Sequence, residues 1–242
     1  NPDPPPLLFW GNPSSTRFQT PHCFRLSATI YTPISMPAKN TQKIYVPGAF
    51  YHIYNQGVDN RQIFITSHDY QTFLSLLESY LSPPVAVDPN SPYKTERPYR
   101  RKRRQQMNLQ KELKLLAYCL MPNHFDLLIR QETLTGMTKL MSRVCTAYSS
   151  YFNKTHLRTG TLFQGVYKAV LIPDKTQLLT LFRSIHSSPI KTSRLGPIST
   201  TAGSPANYPY SSYHWYVDPH PPIWLETSLG LSLRAQGLSL CV

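Results

Sequence analysis

"LKLLAYCLMPNHFDLLIRQ", residues 113–131, reads as two β-strands joined by a tight turn. Residues 113–121 are apolar almost throughout, and 125–131 carry apolar residues on both sides of a buried segment. Pro122 and Asn123 supply the turn chemistry between them. Along a strand, residues i and i+2 share a face. His124 and Asp126 therefore project together, with Leu128 next in line, while Phe125, Leu127 and Ile129 point the other way, toward helices. A polar group in a buried strand costs free energy unless it finds a partner. Two explanations stay open at this point. The pair is an inert histidine–carboxylate hydrogen bond, or imidazole and carboxylate reach one divalent cation. A mixed N/O donor set suits Mg²⁺ or Mn²⁺ better than a thiolate-seeking metal.

Upstream, "FYHIYNQG" (50–57) is aromatic and β-branched, bounded by Gly48 and Gly57, and reads as a strand. Ser67 can cap a helix whose apolar residues Tyr70, Phe73, Leu74, Leu77 and Leu81 share one face. The prolines of "SPPVAVDPNSPY" (82–93) make a loop that runs on into a basic stretch. Downstream, a helix over about 133–154 places Met137, Leu140, Met141, Val144, Tyr148, Tyr151 and Phe152 three and four apart. "GVYKAVLI" (165–172) is a further strand. Asp174 then caps a helix carrying Leu178, Leu181, Phe182 and Ile185, with Pro189 as its stop.

The order is β-α-β-β-α-β followed by a helix. The expected class is α+β: a ferredoxin-like, split-βαβ antiparallel sheet with helices on one face, plus a C-terminal helix in the position where a catalytic group would sit. Residues 1–42 read as a disordered or non-native leader, rich in Pro, Ser and Thr, and Met36 is a candidate natural start. The domain is expected over 43–216, with a basic loop at 82–112, and 217–242 as a tail.

Lys and Arg number 25 against 12 Asp and Glu, a formal charge of +13. That excess points to a polyanionic partner, nucleic acid first. No apolar run approaches the roughly 20 residues of a membrane span, so no membrane role is expected. Four scattered cysteines, without zinc spacing or a disulfide framework, and the lack of a signal-peptide pattern make a reducing cytoplasm the expected compartment. "RPYRRKRRQQ" (97–106) carries Arg97, Arg100, Arg101, Lys102, Arg103 and Arg104, enough charge to neutralise several phosphates. "NKTHLRTGTLFQGVYK" (153–168) adds Lys154, His156, Arg158 and Lys168 around a glycine-containing turn. Tyr51 or Tyr54 can stack on unpaired bases if exposed.

The ordered set "YHIYNQGVDNRQIF", "AYCLMPNHFDLLI", "YSSYFNKTHLRTGTLFQGVYKAVLI" and "YPYSSYHWY" resembles the small single-tyrosine HUH transposases of bacterial insertion sequences, and among them the REP-associated tyrosine transposases. The resemblance implies action on single-stranded DNA beside hairpins, as a homodimer, in the bacterial cytoplasm at the nucleoid. It also implies Mg²⁺ or Mn²⁺ held by a His-hydrophobic-His strand motif, and a tyrosine nucleophile that forms a 5′-phosphotyrosine link.

This chain departs from that pattern at two places. The motif's first histidine matches His124, and its second position holds Asp126. The last helix reads "FRSIHSSP" (182–189), so Ser184 stands in the tyrosine slot and Ser188 where the pattern has an asparagine, a further metal ligand by resemblance. Serine is shorter than tyrosine and a weaker acid. Cleavage is therefore expected to be lost or weakened, and a non-catalytic hairpin-binding module or a decaying gene copy are the alternatives. Tyr148, Tyr151 and Tyr167 are conceivable substitutes, but their spacing matches packing. An RNA-recognition domain would share the topology, but the strands lack its aromatic run.

Overall fold

The computed structural model describes residues 45–83, 107–191 and 205–235, all within one compact unit, Pro37–Val242. Four strands form one antiparallel sheet: β1 (Phe50–Gln56), β2 (Leu113–Met121), β3 (His124–Gln131) and β4 (Lys168–Ile172). Their order across the sheet is β2-β3-β1-β4. With α1 (Ser67–Leu81) after β1 and α2 (Gly136–Thr155) after β3, this is the split-βαβ, ferredoxin-like topology. β1 lies between β3 and β4, with Tyr54 opposite Asp126 and Gln56 opposite His124.

Alternation decides which side of the sheet each residue serves. Tyr51 and Ile53 of β1, with Phe125, Leu127 and Ile129 of β3, enter a core against α1 and α2. From α1 come Tyr70, Phe73, Leu77 and Tyr80; from α2 come Leu140, Met141, Val144 and Tyr148. Gly136 lets α2 start against the backbone, since a Cβ there would meet the Glu112 carbonyl oxygen at 2.7 Å. Thr66, rather than Ser67, is the N-cap of α1. The reason is Asp69, whose carboxylate accepts from the amides of Thr66 (2.8 Å) and Ile65 (2.9 Å) and so fixes the first turn one residue earlier.

The opposite face is not left bare. Helix α3 (Lys175–Lys191) lies against β2 and β3 there. Leu178, Phe182 and Ile185 pack on Ala117, Cys119, Met121, Leu128 and Ile172. The Asp174 side chain accepts from the Gln177 amide at 2.8 Å, as expected of a cap. Pro189 does not stop the helix, which runs two residues further: a proline near a helix end removes only one backbone hydrogen bond. β4 begins at Lys168 rather than 165, because Gly165 takes a positive φ of 70° and turns the chain first.

The described part of the expected 217–242 tail is not free: Leu225 and Glu226 are tied to the domain. β2 is an edge strand, and residues 208–226 lace its open side. The Leu120 amide donates to the Tyr210 carbonyl (2.9 Å), the Glu226 amide to the Leu115 carbonyl (2.8 Å), and the Tyr208 hydroxyl to the Leu120 carbonyl (2.6 Å). Leu225 is part of the main core, and a short helix α4 (Ser228–Ala235) comes after it. An edge strand left unpaired invites association with another chain. The aromatic and serine-rich "YPYSSYHWY" stretch covers it here. Among the described residues no helix is long and apolar enough to cross a membrane.

Candidate metal and nucleic-acid site

Helix α3 covers the β2 side of its sheet face and leaves a partly exposed patch at the His124 end of β3. In that patch His52, Tyr54, His124 and Asp126 are all half-buried. His52 Nε2 lies 2.7 Å from Asp126 Oδ1, and His124 Nε2 lies 3.5 Å from Asp126 Oδ2. One carboxylate thus stands between two imidazoles. His124 Nδ1 is 2.7 Å from Asn123 Oδ1, and Asn123 Nδ2 donates to Asn60 Oδ1 at 2.6 Å, which orients the His124 ring from the turn. Burial pushes the His124 pKa below its ordinary value, with the Asp126 charge opposing. The neutral form, able to offer a lone pair, is the favoured one near neutral pH.

Behind Asp126, its strand partner Cys119 is fully buried, and burial raises that thiol well above its ordinary pKa. It contributes neither charge nor thiolate. The described residues contain no group of three or more His, Cys, Asp or Glu side chains set to hold a metal ion. A cation at this position would therefore rest on two protein donors, His124 Nε2 and Asp126 Oδ2, with water or phosphate oxygens completing its shell. Mg²⁺ commonly binds in that way.

Ser184 and Ser188, the residues of α3 named from the sequence, are both half-buried. Ser184 sits roughly 200° around the axis from Phe182, which meets the sheet. Ser188 donates its hydroxyl to the Ser184 carbonyl at 2.9 Å, and Ser187 does the same at 3.2 Å. These hydrogen bonds run within α3, to the Ser184 carbonyl, and Asp126 is paired with His124. The tyrosines weighed as substitutes are committed elsewhere. Tyr148 is fully buried, donates to the Ile63 carbonyl, and burial raises its pKa far above the ordinary value. Tyr151 donates to Asp69 at 2.9 Å. Tyr167 lies in the core beside Thr138, its pKa pushed up by burial to about 12. Tyr51 is buried too, so of the two aromatics offered for base stacking only Tyr54 faces the open patch.

Lys154 and Lys168 are exposed. The Lys168 ammonium lies 5.7 Å from the Tyr54 ring centroid, bringing a positive charge beside the patch. Arg158 is partly spent on structure, donating to Asn153 Oδ1 (3.0 Å) and the Thr161 carbonyl (2.7 Å). That brace shapes the turn between α2 and β4. Arg97, Arg100, Arg101, Lys102, Arg103 and Arg104 lie outside the described residues.

Residues 95–187 match the family model described as "Transposase IS200 like". That span of the chain is similar to IS200-like transposases. Two solved structures resemble this chain weakly. One is a REP-associated tyrosine transposase bound to a REP hairpin: 11% identity and a TM-score of 0.47, over 76% of this chain and 90% of that one. The other is a candidate transposase from Deinococcus radiodurans R1: 15% identity and a TM-score of 0.34, over 63% of this chain and 95% of that one. No curated protein matches the sequence.

The family match takes in β2, β3, α2, β4 and most of α3, including His124, Asp126 and Ser184, and ends one residue before Ser188. β1 lies outside it, and so does His52, which was not singled out from the sequence. The signal was available in part: the alternation of "FYHIYNQ" puts Phe50, His52, Tyr54 and Gln56 on one face. What the alternation lacks is the identity of the neighbouring strand.

Proposed function

We propose that this chain is an IS200-like transposase that acts on single-stranded DNA beside hairpins, binding the strand across the half-open sheet face, and that its cleavage step is impaired. The observation that carries the reading is the placement of His124 Nε2 and Asp126 Oδ2, 3.5 Å apart, on an accessible sheet face inside the family-matched span. Their donor set fits Mg²⁺ or Mn²⁺, held by two side chains and otherwise by water and phosphate oxygens. Such an ion would polarise the scissile phosphate and stabilise charge building on it. His124 would supply a lone pair fixed by Asn123, and Asp126 a charge that histidine in the same position would lack.

The chain's own side chains limit the cleavage step. A covalent step needs a side-chain hydroxyl to displace the 3′-oxygen from phosphorus, with the hydroxyl proton leaving to a base and the 3′-oxygen gaining one. In the slot for that hydroxyl this chain has Ser184, whose Oγ lies one bond beyond Cβ and cannot span the reach of a phenol. Geometry precedes acidity in judging such a group. DNA binding through Lys154, Arg158, Lys168 and the 97–104 cluster does not depend on that step, which favours a hairpin-binding module over an active nickase. A gene copy losing its function predicts the same chemistry without the binding. A homodimer, at work on DNA in the bacterial cytoplasm, belongs to the same proposal.

The test is a set of hairpin-bearing single strands incubated with the protein and Mn²⁺, scored for a protein–DNA adduct that survives denaturation. Wild type is expected to bind in a salt-sensitive way and to form little adduct. The Asp126→His, Ser184→Tyr double variant is expected to form more. An efficient wild-type adduct lost in Ser184→Ala would overturn the impairment, and absence of binding at low salt would overturn the DNA role. Sedimentation of the free and DNA-bound protein tests the dimer.

A further inference from the structure

Asp126 accepts a single hydrogen bond from the side chains of the described residues, and its donor is His52. A carboxylate only accepts, so the proton sits on His52 Nε2. That contact takes Oδ1. The remaining oxygen, Oδ2, is the one facing His124 Nε2. The orientation of the carboxylate thus depends on a residue from another strand, 74 positions earlier in the chain.

His52 is well placed to act as a fixed support. Its strand is paired on both sides, by β3 and by β4. Its ring stacks on Tyr54, with centroids 4.9 Å apart and planes 29° from parallel. The Lys168 ammonium rests over the far partner of that stack. The side chains of His52, Asp126 and His124 are 22%, 15% and 29% exposed, so the group is braced yet still open to solvent. On the other side of Asp126 the buried Cys119 thiol gives no ionic partner to compete.

We infer that His52 is a positioning residue of the site: it holds Asp126 Oδ1 so that Oδ2 and His124 Nε2 form a preset two-donor bite for a divalent cation. The inference rests on the reading of His124 and Asp126 as cation ligands. Partners that orient a metal-binding carboxylate or imidazole typically cost about 10–100-fold in affinity when removed. The same range is expected here, because a carboxylate freed at Oδ1 rotates about its Cβ–Cγ bond and loses its alignment with His124.

The experiment measures Mn²⁺ binding to the full chain without DNA, by the loss of the free-ion paramagnetic resonance signal, for wild type and His52→Phe, His52→Gln, His124→Ala and Asp126→Ala. Melting temperatures report folding in parallel. His52→Phe keeps a flat ring for Tyr54 and removes the donor, so at least about tenfold weaker binding is expected. His52→Gln keeps an N–H donor and should recover most of the affinity. Nitrogen-15 spectra should show His52 protonated at Nε2 in wild type. The inference is overturned if wild type binds Mn²⁺, the His124 and Asp126 variants do not, and His52→Phe binds as wild type does. Equal losses in the Phe and Gln variants would overturn it as well, by assigning the effect to packing. If wild type itself takes up no Mn²⁺, the cation reading falls first and carries this one with it.

Discussion

His186 Nε2 lies 2.8 Å from Ser212 Oγ, and this buried contact ties α3 to the segment that laces the edge of β2. The same hydroxyl accepts from the Tyr118 amide at 2.9 Å and lies 3.2 Å from the Tyr118 carbonyl. Around the imidazole stand Phe182, Tyr213 and Tyr216, a setting that disfavours charge.

Burial lowers the His186 pKa to about 3, from an ordinary 6.5. The unfolded chain therefore takes up a proton at His186 between those values while the folded chain does not. Its stability contribution is complete above pH 6.5 and falls as the pH drops through 6.5 toward 3. At pH 5 the loss is expected to be about 2 kcal/mol. Urea unfolding as a function of pH measures it. In His186→Gln, which keeps an N–H donor for Ser212 without titrating, the slope between about pH 6.5 and 4.5 should flatten. His124 and His214, also shifted down, would leave a smaller residual slope of the same sign.

Asp69, fully buried, joins the start of α1 to the end of α2. Its carboxylate accepts from two backbone amides, from the Tyr151 hydroxyl at 2.9 Å and from His156 Nε2 at 3.0 Å. Burial alone would raise its pKa, but the amide of Thr66, the His156 ring, the amide of Ile65 and Tyr151 together hold it below the ordinary value. Asp69→Ala strands all four donors and should cost about 3 kcal/mol in chemical denaturation, with Asp69→Asn costing less. The turn from 157 to 167 should also gain hydrogen exchange, because His156 anchors its first residue.

The Tyr148 hydroxyl donates to the Ile63 carbonyl inside the core. Tyr148→Phe keeps the ring contacts with Phe64, Phe73 and Phe163 and removes only the donor. A loss of about 1–2 kcal/mol is expected from equilibrium unfolding, with no change in DNA retention. Were Tyr148 a nucleophile instead, an adduct would vanish at unchanged stability.

Exposed Lys154 and Lys168 should act through phosphate charge. Replacing either by Gln is expected to weaken single-strand binding uniformly across sequences and to lower the slope of log affinity against log salt by about one. A titration at several salt concentrations decides it.

Chelation separates binding from chemistry. With EDTA, retention of hairpin DNA should persist, because the basic surface needs no cation, while any adduct formed by the Asp126→His, Ser184→Tyr variant should disappear. A gel-shift assay run beside a denaturing gel reads both.

Much of this architecture is written in local pattern. The threefold and fourfold spacing of 137–152 and the alternation of 50–56 and 124–131 identify α2, β1 and β3, and with them the ferredoxin-like order. The same alternation puts His124 and Asp126 on one face, because a strand's side chains alternate whatever it pairs with. Charge and the family-like motifs point to DNA. Pairing is a different kind of information. That His52 meets Asp126, that α3 covers half of the face it was expected to leave open, and that residues 208–226 seal the β2 edge all depend on contacts between segments far apart in the chain. Such contacts form only where burial and backbone hydrogen bonding are satisfied for every element at once. No window of neighbouring residues contains that condition, so the second imidazole of the site appears only when the sheet is assembled.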